Sequence, residues 1–225
     1  MKIKFGSIVT DGSGKIGGHV VAKNRSGHYL RTKVTPSNPR TSAQSETRAI
    51  LGTLSSAWSG LTDEERATWN GAVNSWSSTN IFGDIKNPTG KNLFVGLNKN
   101  LLESGQTSIN VAPEKIEIPY LGVSVVNGDI SATTLIADVT NDASGLFVNV
   151  YATAPQTAGT GFFKGKYRKI ATVSGATIGT ANLFDYYESK FGTLAIGQNI
   201  AFEFKVVGTN GQVGTPENAK ALIVA

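Results

Sequence analysis

The sequence predicts an α+β chain in three parts: an N-terminal β-ribbon arm, a three-helix unit and a C-terminal all-β sandwich. Three observations carry this. The first forty residues hold eight Lys or Arg against one acid, Asp11, whereas the remaining 185 hold thirteen bases and fifteen acids. Between 41 and 104 apolar residues recur at three- and four-residue spacing, the period of a helix with one buried face. From 120 onward, short β-branched and aromatic runs alternate with Gly and Asn turns.

Composition sets the limits. A chain of 225 residues, 40% hydrophobic and 16% charged, can bury a sizeable core, and its 26 Gly favour turns and β-structure. The absence of Cys excludes disulfides and cysteine zinc sites and leaves the redox compartment open. The start, MKIKFGSIVTDGSG, lacks the apolar stretch of a secretory signal. No apolar run approaches the ~18 residues that span a bilayer, so a membrane is not an expected partner. A pI of about 9.4 is compatible with nucleic acid or an acidic protein surface. The cationic cluster is confined to the arm.

Each element can be justified in turn. Residues 2–9 read as a strand with Ile3, Phe5 and Ile8 apolar, 11–14 as a turn, 16–23 as a second strand and Asn24-Arg25-Ser26-Gly27 as a second turn. In 28–35, Tyr29, Arg31 and Lys33 alternate with His28, Leu30, Thr32 and Val34. Such a two- or three-stranded ribbon (1–40) is marginal alone in water and should lean on the body or on a partner. Pro36 and Pro39 predict a stiff, extended connector.

Thr41 or Ser42 caps a first helix. Its stripe is Ala43, Thr47, Ile50, Leu51, Leu54, Ala57 and Trp58, and Gly60 ends it. Thr62-Asp63-Glu64-Glu65 is a capping box opening a second helix, with three acids at the positive end of its dipole. Trp69, Val73 and Trp76 line one face. Residues 77–88 form a loop anchored by Ile81 and Phe82. Thr89 or Gly90 starts a third helix with the stripe Leu93, Phe94, Leu97, Leu101 and Leu102, and Gly105 stands where a glycine C-cap belongs. The unit 41–104 is read as packed around Trp58, Trp69 and Trp76.

Residues 105–119 read as a linker. Strands are then predicted at 121–126, 130–139, 146–154, 162–173, 199–207 and 219–225. Asn127-Gly128 signals a hairpin, Asn210-Gly211 a second tight turn, and 182–191 an inserted short helix. Short strands at such spacing over 120–225 argue for a sandwich. Without a Cys…Trp…Cys pattern, a fibronectin-III-like sandwich fits better than a true immunoglobulin domain.

No motif carries a complete catalytic set, and the chain is not read as an enzyme. Gly12, Gly14 and Gly17 match G-x-G-x-x-G, but a dinucleotide site needs a helix at the third glycine. Here Gly18-His19-Val20-Val21 reads as strand and no acid follows about twenty residues on, so a glycine hairpin is the better reading. His19 and His28 are the only histidines, too few for a metal site without more ligands. Asp63, Glu64 and Glu65 are explained by the helix start. Lys164, Lys166 and Arg168 with Phe162, Phe163 and Tyr167 resemble a single-strand nucleic-acid platform. A half-buried strand with Lys164, Lys166 and Arg168 on one face is the better reading, and nucleic acid is not an expected partner. Tyr186 and Tyr187 are taken as exposed aromatics of the sandwich, and no cofactor is expected.

The segment GKIGGHVVAKNRSGHYLRTKVTPSNPRTSAQ (14–44) resembles the N-terminal part of a family of bacteriophage virion structural proteins and related uncharacterised Bacteroidetes proteins. Gly27, Tyr29, Arg31, Asn38, Pro39 and Thr41 occupy the positions of its pattern. AWSGLTDEERATWN (57–70) and GKNLFVGLNKNL (90–101) are similar to the helices that follow. The resemblance spans roughly residues 1–113. It implies a structural component of a tailed-phage particle, made in the host cytoplasm and found in the virion. Its expected role is a capsid head auxiliary or decoration protein on the major capsid protein, with a neck or tail (portal-associated) component or a glycan-binding or host-surface module as alternatives. It also implies a homo-oligomer. Lys2, Lys4, Lys15, Lys23, Arg25, Tyr29, Arg31, Lys33 and Arg40 are the expected partner-docking residues, with Pro36 and Pro39 holding the arm away from the helical unit 41–104.

Overall fold

The computed structural model describes residues 2–4, 6, 11–129, 133–141, 143–157 and 159–224. It is a mixed α+β chain with a multi-stranded sheet, and it divides into two compact units. The first comprises 1–95 and 110–112, the second 96–109 and 113–225. The division falls inside a helix that the sequence reading assigned whole to the helical unit.

In the first unit, β1 (Gly14–Ile16), β2 (His19–Asn24) and β3 (Gly27–Thr32) form an antiparallel ribbon. The predicted strand 16–23 is split: Ile16 pairs with His19 across a hairpin turn at Gly17-Gly18, where Gly17 has φ 55°. The turn at Arg25-Ser26 matches expectation, closed by Asn24↔Gly27 pairing and by Asn24 Oδ1 accepting from Ser26 N. Of the predicted first strand, Lys2 bridges to Tyr29 and Ile3 N donates to His28 O; Phe5 and Ile8 lie outside the described residues.

Three helices follow: α1 (Ser42–Gly60), α2 (Asp63–Ala72) and α3 (Gly90–Glu103). Thr41 caps α1, and the reciprocal Thr62/Glu65 capping box opens α2 as predicted. Thr89 Oγ1 accepts from Asn92 N at the start of α3. At its end, Gly105 (φ 75°) closes a Schellman turn, with Gln106 N donating to Leu101 O. Trp69 is fully buried, its ring edge-on to Phe94 at 5.3 Å and its Nε1 donating to Asn110 O. Two expectations fail here. α2 stops at Ala72, so Trp76 sits in a turn outside the helix face and is half-buried. Ile81 and Phe82 are not anchors. Residues 78–86 fold as a small hairpin, β4 (Ser78–Thr79) and β5 (Ile85–Lys86), whose Ile81, Phe82 and Ile85 are exposed.

In the second unit, β6 (Val123–Asp129), β7 (Thr134–Val139), β8 (Phe147–Ala152), β9 (Arg168–Ser174), β10 (Asn199–Val207) and β11 (Glu217–Val224) pair in the order β7-β6-β11-β10-β8-β9. All pairs are antiparallel except the short β11–β6 contact. The predicted short helix is α4 (Phe184–Phe191). One buried cluster draws on every strand, including Leu135, Val148, Phe202 and Ala221, and on Tyr187 of α4. Gly128 is not a hairpin glycine. It lies within β6 opposite Leu135, and a Cβ there would meet Ile223 Cδ1 at 2.7 Å, so the glycine serves close packing. The Asn210-Gly211 turn is present, and its carbonyl accepts from Asn100 Nδ2 of α3.

The C-terminal half of α3 covers part of the sheet. Buried Asn149 joins Ser104 Oγ and Thr172 Oγ1, and Lys169 donates to Glu103 O. Segment 105–119 has no regular structure but is tied down. Asn98 clamps the backbone of Ile109 with both amide atoms, and Gln212 Oε1 accepts from Ile116 N. Buried Glu217 accepts from the backbone N–H of Leu121, Gly122 and Val123, fixing the start of β6.

Candidate interaction surface

Antiparallel register decides which ribbon side chains share a face, because paired residues project to the same side. Lys15 pairs with Val20 and Val20 with Arg31; Ala22 pairs with Tyr29 and Tyr29 with Lys2. Lys2, Lys15, Tyr29 and Arg31 therefore lie on one cationic face. Lys23 falls on the other, beside His28, Leu30 and Val21, the one buried apolar residue among the described residues of the ribbon. Asp11 serves that second face, with its carboxylate 3.4 Å from both Lys23 Nζ and His28 Nδ1. Its pKa is lowered, chiefly by the Gly12 N–H and further by Lys23 and His28.

The other predicted docking residues scatter. Arg25 is exposed at the hairpin tip, and Lys33 and Arg40 are exposed in the extended connector. Lys4 is engaged within its own unit: Nζ lies 2.9 Å from Asp84 Oδ1 and 5.7 Å from the Phe82 ring centroid. That hydrogen bond is the main cause of a lowered Asp84 pKa. The expectation that Pro36 and Pro39 hold the arm away is overturned. Lys2–Lys4 and Ser26–His28 border one groove with Asn80, Phe82 and Asp84, so the ribbon leans on the β4–β5 hairpin. Among the described residues, Lys15, Arg25, Arg31, Lys33 and Arg40 hold no ion pair.

The sequence underestimated one surface. The stripe of α1 was expected to be core, yet Leu54 is its one buried residue. Ala43, Thr47, Leu51 and Ala57 are exposed and Ile50 half-buried. A helical period marks an apolar face and is silent on whether the same chain covers it.

The basic-aromatic stretch also differs from expectation. Residues 164–166 form a turn with Gly165 at φ 83°, and β9 begins only at Arg168. Lys164, Lys166 and Arg168 thus share no strand face. Phe163 and Tyr167 instead border a groove on the outer side of β10 and β11. Tyr187 is fully buried and donates to Thr153 O, unlike half-exposed Tyr186. Among the described residues there is no cluster of three or more metal-ligating side chains. Among the described residues no helix is long and apolar enough to cross a membrane.

No family model matches the chain, and no curated protein matches it significantly. Among solved structures it is similar to an Fn3-like protein from Clostridium thermocellum, at 19% identity over 48% of this chain and 97% of that one, with a TM-score of 0.30.

Proposed function

We propose that this chain is a structural, non-enzymatic component of a tailed-bacteriophage virion. In this reading it is a head auxiliary or decoration protein that docks its ribbon on the major capsid protein. A neck or tail position is the alternative within the same class. The observation that carries the reading is the set Lys15, Arg25, Arg31, Lys33 and Arg40 along the ribbon and its connector, exposed and, among the described residues, without ion pairs, where the described residues of the ribbon bury one apolar side chain. A cationic, thinly buried ribbon gains both area and charge partners on an acidic shell.

The second unit is read as a fibronectin-III/Ig-like sandwich. Its β11-β10-β8-β9 order, with the antiparallel β6–β7 pair joined to β11 by a short parallel contact, is compatible with the G-F-C-C′ and A-B arrangement of such modules, with α4 between β9 and β10.

The test is deletion of residues 1–40 with counting of copies on purified particles. The deleted protein is expected to remain soluble with a folded second unit and to be lost from particles. Wild-type occupancy by the truncated protein sinks the proposal.

A further inference from the structure

The strongest unassigned feature is the groove on the outer face of the second unit, about 810 Å³ in volume. That is within the roughly 300–1,000 Å³ usual for ligand sites. We propose that this groove binds an acidic oligosaccharide.

The groove is built by the sheet. Ala201 pairs with Lys220 and Glu203 with Asn218, so these four side chains project from one face. The small Ala201 leaves a depression between larger neighbours. Segment 161–167 crosses above it, turning at Gly165 and bringing Phe163 and Tyr167 to the wall. The Lys220 ammonium lies 5.3 Å from the Phe163 ring centroid.

Charge selects the ligand. Glu203 is neutralised by Lys205 at 2.6 Å. Lys164 and Lys220 have no acidic partner among the described residues, so the groove presents two uncompensated cations. Half-buried Tyr167 supplies a ring, and its pKa is raised by burial and then by Glu203. Glu203 and Asn218 offer acceptors and donors to hydroxyl groups.

A sugar fits better than a peptide. Peptides docking on sheets use unpaired backbone groups at an edge. Here β10 is paired on both sides, with β8 and β11, so the part of the groove floor that β10 forms offers side chains and no free ladder. An acidic peptide would bring carboxylates to the two lysines but, unlike a sugar, no row of hydroxyls to donate to Glu203 and Asn218.

The test uses the full chain, with amide NMR titrations against tetragalacturonate, sialyllactose and a heparin tetrasaccharide. Maltotetraose and tetraglutamate are the controls. At least one acidic sugar is expected to shift residues 161–167, 201–203 and 218–220, with maltotetraose and tetraglutamate much weaker. Lys164→Glu with Lys220→Glu should weaken binding by about tenfold or more through like-charge repulsion. Lys190→Glu, exposed on α4, should leave it unchanged. Absence of binding by all three acidic sugars overturns the proposal. So does equal binding of tetraglutamate, or an equal loss in Lys190→Glu. The site lies in the second unit, so this outcome is independent of the ribbon deletion.

Discussion

Glu217 tests how the sheet is held together. Its side chain is buried, and its carboxylate receives three backbone donors: Leu121 N at 2.6 Å, Gly122 N at 2.8 Å and Val123 N at 3.1 Å. No cation pairs with it among the described residues. The negative charge is therefore held by backbone dipoles alone, and those N–H groups depend on it. Glu217→Gln keeps the shape but turns one acceptor into a donor facing a backbone N–H. Hydrogen bonds to charged groups contribute about 1.5–3 kcal/mol each, and a buried donor left unmade costs about 1–3 kcal/mol. Losing charge assistance at three bonds and opposing one donor with another predicts a loss of about 2–3 kcal/mol. Glu217→Ala, which orphans all three donors, should cost about 3–5 kcal/mol. Urea denaturation followed by far-UV circular dichroism reads the sheet, while tryptophan emission reports the first unit, which holds Trp58, Trp69 and Trp76. The exposed Glu117→Gln is the control and should move stability by less than about 0.5 kcal/mol. A Glu217→Gln protein as stable as that control refutes the reasoning.

Two further outcomes follow from burial and backbone geometry. Gly211 has φ 79°, and a Cβ there would lie 2.3 Å from Leu97 O, a backbone atom that cannot swing aside. Gly211→Ala should cost about 2–5 kcal/mol from left-handed strain plus overpacking, whereas Gly197→Ala, at φ 81° in open space, should cost only about 1–2 kcal/mol; equal losses in urea denaturation would remove the close-approach argument. Burial raises the Tyr187 pKa, so the unfolded chain releases that proton first as pH rises past about 10. The stabilisation is complete below that pH and lost above it. Tyr187→Phe should cost about 1 kcal/mol at neutral pH through the lost bond to Thr153 O and should flatten the alkaline limb, both read from denaturation midpoints against pH.

What the residues revealed beforehand tracks how local the determining physics is. The capping box at Thr62, the glycine end of α3 and the Asn24–Gly27 turn depend on groups within a few residues, and each was legible. Gly128 was misread because Asn-Gly between apolar residues satisfies a hairpin rule, while its actual requirement comes from Ile223 on a strand ninety-five positions away. Gly165 broke a run whose alternation looked like strand because a positive-φ turn leaves no mark on hydropathy. Face sharing on the ribbon needed the register, which placed Lys23 opposite the other cations. The groove was only half visible: its aromatic and basic residues stood out in sequence, but Ala201, Glu203 and Lys220 join them only through β10–β11 pairing.

The two units divide the work of burial unequally, and this bears on why docking is the reading to test first. Among the described residues, seven of the buried apolar side chains lie in the first unit and twenty-six in the second. The first unit also exposes Ile16, Val34, Leu51, Ile81, Phe82 and Ile85. Its ribbon is tied to the β4–β5 hairpin by the Lys4–Asp84 ion pair, and exposed pairs of this kind add at most a small stabilisation. A segment with few buried apolar groups opens at low free energy and is the part of a chain most readily ordered by a partner. The second unit has a contiguous core and needs no such help. Under the proposed docking, the partner supplies burial that the first unit lacks, and the α1 face and the hairpin tip are the apolar area available for it. A first unit that stays as protected from amide exchange in the free protein as on the particle would contradict this coupling directly.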